Sequence, residues 1–174
     1  QSLPDLRLVI AGSGPEEEAL RTQLPDAVFL GWTEQTRLAQ LYQGLDLFVF
    51  PSRFDTFGNV LLEAFAHGMP AVAYRTKGPA DIIEPGASGY LAANEEEMAA
   101  HIVAHFQQPG MHAAMRAGAR ARAADYEGTA IMDEYLQNLG LPTAAPPLRQ
   151  RSTAYRVGLR RSSWAGSAAS RARC

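Results

Sequence analysis

Two carboxylates with seven residues between them, Asp55 and Glu63, bracket the stretch of this 174-residue chain whose residue types best suit chemistry, Phe57-Gly58-Asn59-Val60. Apolar residues at Phe57, Val60, Leu61, Ala64 and Phe65 recur at helical spacing, and His67-Gly68 followed by Pro70 supplies a stop. A glycine in the first turn of such a helix lets a bulky group approach the backbone. The N–H groups near Gly58, Asn59 and Val60 then point outward at the positive end of the helix dipole. That is a seat for a diphosphate. Asp55 precedes the helix and can face what lies ahead of its end, while Glu63 lies farther down and can reach the side of the same pocket. A carboxylate there can accept the two hydroxyl protons of a vicinal diol. The alternative reading makes Asp55 only an N-cap, with Thr56, and Glu63 a solvated helix residue.

The neighbouring elements must hold this helix in place. LDLFVF (45–50) is an apolar run of the kind found in a parallel strand covered on both faces, and PAVAY (70–74) is the strand after the helix. Earlier in the chain, LRLVIAG (6–12) feeds Gly12 and Gly14 and then an acidic helix start at Glu16–Glu18, the opening of a Rossmann unit. Glu17 stands where a third glycine would complete a dinucleotide fingerprint, so the glycines are expected to serve the turn. AVFLGW (27–32) is a short strand, and Thr33 is expected to cap a helix with Leu38, Leu41 and Tyr42 on its apolar face. A short helix over Pro79–Ile83, a turn at Pro85-Gly86, a strand over Gly89–Leu91 and a helix capped by Asn94 and running to Gln107 follow. Two further helices are expected in MHAAMRAGARARAA and GTAIMDEYLQNL. His101 and His105, one turn apart, are metal-compatible in spacing but have no third ligand of matching context, so a polar face or core edge is expected.

Taken in order, these motifs resemble the C-terminal, donor-binding domain of retaining glycosyltransferases with two Rossmann-like domains, of the group-1 type. The resemblance runs from Leu6 to about Leu139 through LVIAGSGP, FLGW, QLYQGLDLFVFPS, DTFGNVLLEA and KGPADIIEPGASGYL. The family pattern is Glu, seven residues, Glu; here Asp55 takes the first place, one methylene shorter, and Glu63 the second. The resemblance implies that Asp55 and Glu63 are the catalytic pair, Asp55 at the sugar hydroxyls and Glu63 on the ribose hydroxyls of a nucleotide sugar. It also implies that Phe57, Gly58, Asn59 and Val60 bind the diphosphate. Trp32 would line the base pocket or pack on a neighbouring domain. Lys77, the only lysine, would help neutralise the donor or remain a solvated loop residue.

The implied activity is transfer of a hexose, mannose or glucose in type, from a nucleoside-diphosphate sugar to a hydroxyl acceptor with retention, without an obligatory metal. Complete relatives also carry an N-terminal acceptor domain and, ahead of the first strand here, a strand and helix with a basic pair; both are expected to be missing. The isolated chain is therefore expected to be inactive or nearly so. A non-catalytic nucleotide-sugar-binding fragment is the alternative, and a sugar-nucleotide epimerase a weaker one. The acceptor is open: a glycan, a lipid or a small molecule.

Composition bounds these readings. The one cysteine, Cys174, is terminal, which excludes a disulfide framework or a cysteine metal site. No apolar run approaches the ~20 residues that span a bilayer, and a cytoplasmic protein is expected. Residues 1–140 carry 9 basic and 18 acidic side chains, whereas 141–174 carry 7 arginines and no acid. The expected organisation is an α/β nucleotide-sugar-binding domain over 1–140, with a parallel sheet, helices on both faces and its first strand–helix unit missing. A basic disordered tail over 141–174 would follow. Such a tail suits peripheral contact with an anionic membrane surface. No nucleic-acid partner is expected, because clean helical arginine patterning is missing, and an extension without an evolved role reads better.

Overall fold

Alternation along two short strands sets the layers. In β3 (Leu47–Phe50) and β4 (Ala71–Tyr74) every residue is buried, and successive side chains go to opposite faces of the sheet. Phe48, Phe50, Ala71 and Ala73 belong to one apolar cluster, Leu47, Val49, Val72 and Tyr74 to the other. The computed structural model describes residue 3 and residues 5–54, 58–126 and 156–161. Within them β1 (Leu6–Ala11), α1 (Glu17–Gln23), β2 (Val28–Gly31) and α2 (Gln35–Gly44) precede β3. Then come α3 (Asn59–Ala66), β4, α4 (Lys77–Ile82), β5 (Gly89–Ala92), α5 (Glu95–Gln107), α6 (Pro109–Tyr126) and β6 (Arg156–Arg161).

The six strands form one sheet in the order β2-β1-β6-β3-β4-β5. β1 and β2 pair parallel, as do β3 with β4 and β4 with β5. Leu38 and Tyr42 of α2, Leu61, Ala64 and Phe65 of α3, and Ala119 and Ala123 of α6 close one face; Met98 and Phe106 of α5 close the other. The fold is the expected Rossmann-like α/β sheet with helices on both faces.

Within the tail, residues 156–161 form a strand that was not expected. Arg156–Arg161 lies between β1 and β3 and runs antiparallel to both, with Val9 opposite Gly158 and Val49 opposite Val157. The sheet is therefore mixed. The facing edges of two apolar strands offer unpaired backbone groups on both sides, and this demand outweighs the poor strand signal of RVGLRR. The helix expected in GTAIMDEYLQNL and the rest of the tail lie outside the described residues.

Helix starts correct three expectations. α3 begins at Asn59 with Gly58 as its N-cap, rather than at Phe57. α2 begins at Gln35 with Glu34 as N-cap and no capping side chain; the Thr33 hydroxyl instead donates to the Gly31 carbonyl at 3.1 Å and closes the turn after β2. α4 begins at Lys77, two residues before Pro79. Asn94 does cap α5, its Oδ1 accepting from the Glu97 amide at 2.9 Å while the Glu97 carboxylate accepts from the Ala93 amide at 2.6 Å. That reciprocal pair is a capping box.

Two arginines of α6 act on helix ends. Arg116 donates to the carbonyls of Leu45 (3.1 Å) and Gln43 (3.3 Å) at the end of α2. Arg122 donates to those of Ile82 (2.8 Å) and Asp81 (2.7 Å) at the end of α4. Both engage carbonyls that a helix terminus leaves without intrahelical partners, where a cation also suits the dipole.

Candidate functional site

In a parallel sheet the carboxyl ends of the strands share one rim. Here the rim carries the Gly12–Gly14 loop after β1, Gly31-Trp32 after β2, the loop from Pro51 and then α3 after β3, and Arg75–Lys77 with α4 after β4. Strand order reverses between β1 and β3, and a crevice at such a switch point is where open α/β sheets take ligands.

At the start of α3, Gly58 is the N-cap and adopts a left-handed conformation, φ 78° and ψ 36°. A Cβ at this glycine would lie 3.1 Å from Leu61 Cδ1 and 3.2 Å from Ile82 Cδ1, so both backbone angle and space favour glycine. Val60 and Leu61 are buried directly behind it, which pins the first turn to the core, while Asn59 is exposed. The Leu61 amide reaches back to the Gly58 carbonyl at 2.8 Å. The geometry is an anchored helix start at the switch point, with the positive end of the dipole at the rim.

Glu63 is half-buried one turn further along, and its carboxylate accepts from the Tyr42 hydroxyl at 3.3 Å. Tyr42 is itself buried, edge-on to Phe48 with ring centroids 5.9 Å apart. A phenol fixed by the core thus orients a carboxylate on the next helix. The sequence assigned Tyr42 only to the apolar face of α2, and its hydroxyl was the overlooked signal. Thr76, at the N-cap of α4, was also missed; its hydroxyl is buried and hydrogen-bonds to none of the described residues.

Of the residues singled out from sequence, Gly58, Asn59, Val60 and Glu63 stand on or beside α3, and Trp32 and Lys77 share its rim. Trp32 is 75% exposed, so it packs on no described element. Lys77 is exposed at the start of α4. Asp55 and Phe57 lie outside the described residues. Nearby, Arg53 is committed elsewhere, 2.6 Å from the Glu95 carboxylate and 4.0 Å over the Tyr74 ring. Glu95 is held below the usual carboxylate range, first by its own backbone hydrogen bond and then by Arg53.

His101 and His105 belong to an aromatic stack. His101 lies 5.1 Å from the Tyr90 ring, His105 4.1 Å from His112, and the Tyr90 hydroxyl meets His105 Nδ1 at 3.2 Å. Burial, then the proximity of His112, lowers the His105 pKa to about 4. Among the described residues no three potential ligands gather around a metal position.

The family description "Glycosyl transferases group 1" matches residues 1–108, more than half of the chain. The chain belongs to this family. Similar relatives of this group 1 glycosyl transferase include a GDP-mannose-dependent alpha-mannosyltransferase of Corynebacterium glutamicum, 45% identical over 87 residues. That match takes in 50% of this chain and 21% of the relative. An N-acetyl-alpha-D-glucosaminyl L-malate synthase of Bacillus anthracis is 33% identical over 131 residues, 71% of this chain and 33% of the relative. The chain thus spans about a fifth to a third of these relatives' length. Among solved structures, HepE from Anabaena in complex with UDP superposes with a TM-score of 0.67 at 24% identity, over 76% of this chain and 40% of that one. The fold of this group 1 glycosyl transferase is therefore shared with a nucleotide-bound neighbour.

Proposed function

We propose that the chain is the donor-binding half of a hexosyltransferase, holding a nucleoside-diphosphate sugar with its diphosphate at the start of α3. The observation that carries this reading is the left-handed Gly58 at the start of α3, on the switch-point rim of the sheet. Glu63, oriented by Tyr42, would accept the two ribose hydroxyls. Trp32 would stack on the base, Lys77 would offset phosphate charge, and Asp55 with Phe57 would complete the sugar side. Three relatives named as GDP-mannose-dependent alpha-mannosyltransferases support a mannose-type donor, and neighbours solved with UDP or UDP-glucose keep a glucose-type donor in view.

In the transfer, the bond from the anomeric carbon to the phosphate oxygen breaks. A bond to the acceptor hydroxyl oxygen forms on the same face, and the acceptor proton leaves with the nucleoside diphosphate. The protein's part is electrostatic: helix N–H groups and Lys77 stabilise the charge that develops on the leaving group, with no metal required. Cytoplasmic residence belongs to the same reading; among the described residues no helix is long and apolar enough to cross a membrane.

A second reading is that the same site binds a sugar nucleotide without transfer. Calorimetry with GDP, UDP, GDP-mannose and UDP-glucose, followed by a transfer assay with and without an added acceptor domain from a relative, separates the two. Binding of a sugar nucleotide, with transfer only on addition of that domain, is the expected result. Failure to bind any of the four would end the donor-half reading.

A further inference from the structure

None of the residues assigned to the donor lies on α6, yet two arginines of that helix hold the elements that carry them. Arg122 Nε donates to the Ile82 carbonyl at 2.8 Å, and its Nη2 donates to the Asp81 carbonyl at 2.7 Å. The Tyr126 hydroxyl, one turn further along α6, donates to the same Asp81 oxygen at 2.7 Å. Ile82 is 1% exposed, and its Cδ1 stands 3.2 Å from where a Cβ on Gly58 would lie. The guanidinium thus fixes the residue whose side chain lies against the left-handed start of α3. Its hold extends to the other end of α4, because a six-residue helix is only about 9 Å long and a shift at Ile82 carries through to Lys77.

Arg116 acts on the other arm of the site. It donates to the Gln43 and Leu45 carbonyls, which fixes the chain just past Tyr42. Tyr42 meets α3 twice. Its hydroxyl donates to the Glu63 carboxylate at 3.3 Å, and its ring lies 5.7 Å from that of His67, whose Nδ1 is 2.8 Å from the Glu63 carbonyl. A movement at the end of α2 would therefore reach Glu63 before it reached Gly58.

We propose that, within the donor-binding role argued above, Arg122 and Arg116 are positioning residues with separate effects: Arg122, through Ile82, governs recognition of the diphosphate, and Arg116, through Tyr42, recognition of the ribose hydroxyls. Each guanidinium is half-buried and donates to two main-chain oxygens, a forked hold that a lysine does not copy. Without it the freed carbonyls turn to water, and the helix end they belong to loses its fixed position. The two arginines act on different helices, α4 and α2, so their losses fall on different parts of the ligand.

The full chain is titrated in a calorimeter with GDP, GMP and 2′-deoxy-GDP, and with UDP, UMP and 2′-deoxy-UDP, and thermal melts confirm that each variant is folded. Arg122→Ala should lower the preference for diphosphate over monophosphate at least about fivefold and keep the preference for ribose over deoxyribose within about twofold; Arg116→Ala should do the reverse. Where alanine unfolds the chain, Arg122→Lys and Arg116→Lys, which keep the charge and lose the fork, should show the same crossed pattern. Asn94→Ala, which removes only the cap of α5, should move neither preference. Adding Ile82→Val to Arg122→Ala, or Tyr42→Phe to Arg116→Ala, should cost no further preference, since each pair acts in series. Both preferences falling together in each variant, neither moving, or additive losses in the double variants would overturn the proposal and leave donor binding standing. A wild-type chain that bound none of the six nucleotides would remove the donor-half reading and the positioning roles together.

Discussion

Glu63 shows how one residue's role depends on another element. The Tyr42 hydroxyl on α2 meets its carboxylate at 3.3 Å, so the acid enters any complex already partly oriented. Replacing Glu63 with alanine should weaken sugar-nucleotide binding by roughly 1–3 kcal/mol, the usual cost of losing charged hydrogen bonds, and calorimetry reads this directly. Tyr42→Phe removes the orienting bond and should cost about 0.5–1.5 kcal/mol of the same affinity. Unchanged affinity in Glu63→Ala would take this residue out of the ribose role. At the same scale, His105 ties folding to acidity. Burial and His112 lower its pKa from 6.5 to about 4, so the folded state disfavours the protonated ring. The stabilisation is complete above pH 6.5, declines as pH falls, and is gone below about 4. Between pH 7 and pH 5 the loss should be about 2 kcal/mol in urea titrations, and His105→Phe should flatten that slope.

The elements differ in how readily their sequences disclosed them. β3 and β4 were legible because uninterrupted apolar runs admit few alternatives, and Asn94 was legible because a capping box is a local pattern. The start of α3 was harder to read. Asp55 and Thr56 are preferred caps, yet the helix opens on a glycine, whose φ of 78° disfavours any side chain and whose Cβ position is crowded by Leu61 and Ile82. Gly58→Ala should therefore destabilise the fold by about 1–2 kcal/mol, the cost of a left-handed non-glycine residue, and lower donor affinity as the first turn shifts. Asn94→Ala should cost about 0.5–2 kcal/mol through the lost cap, with donor affinity unchanged. Chemical denaturation and calorimetry on the same samples separate the two variants.

For the whole molecule, the parts that escaped the sequence were those made by distant segments meeting. The contact of Tyr42 with Glu63 joins neighbouring helices that no periodicity links. β6 was hidden because three arginines and a glycine in RVGLRR give almost no strand signal, and only the vacancy between two apolar edges makes a strand there necessary. Order along the chain, by contrast, carried the family well: the motifs from LVIAGSGP to KGPADIIEPGASGYL all lie within residues 1–108, the stretch that matches group 1 glycosyl transferases.

The arginines of α6 bear on where this unit can be cut. The family match stops at residue 108, just before that helix starts, so a boundary drawn from that match alone would discard Arg116 and Arg122. Four main-chain oxygens, on Gln43, Leu45, Asp81 and Ile82, would then lose their guanidinium partners together. A recombinant piece ending at Gln108 should melt broadly and at lower temperature than one ending after Tyr126, although both retain every residue that the family match covers.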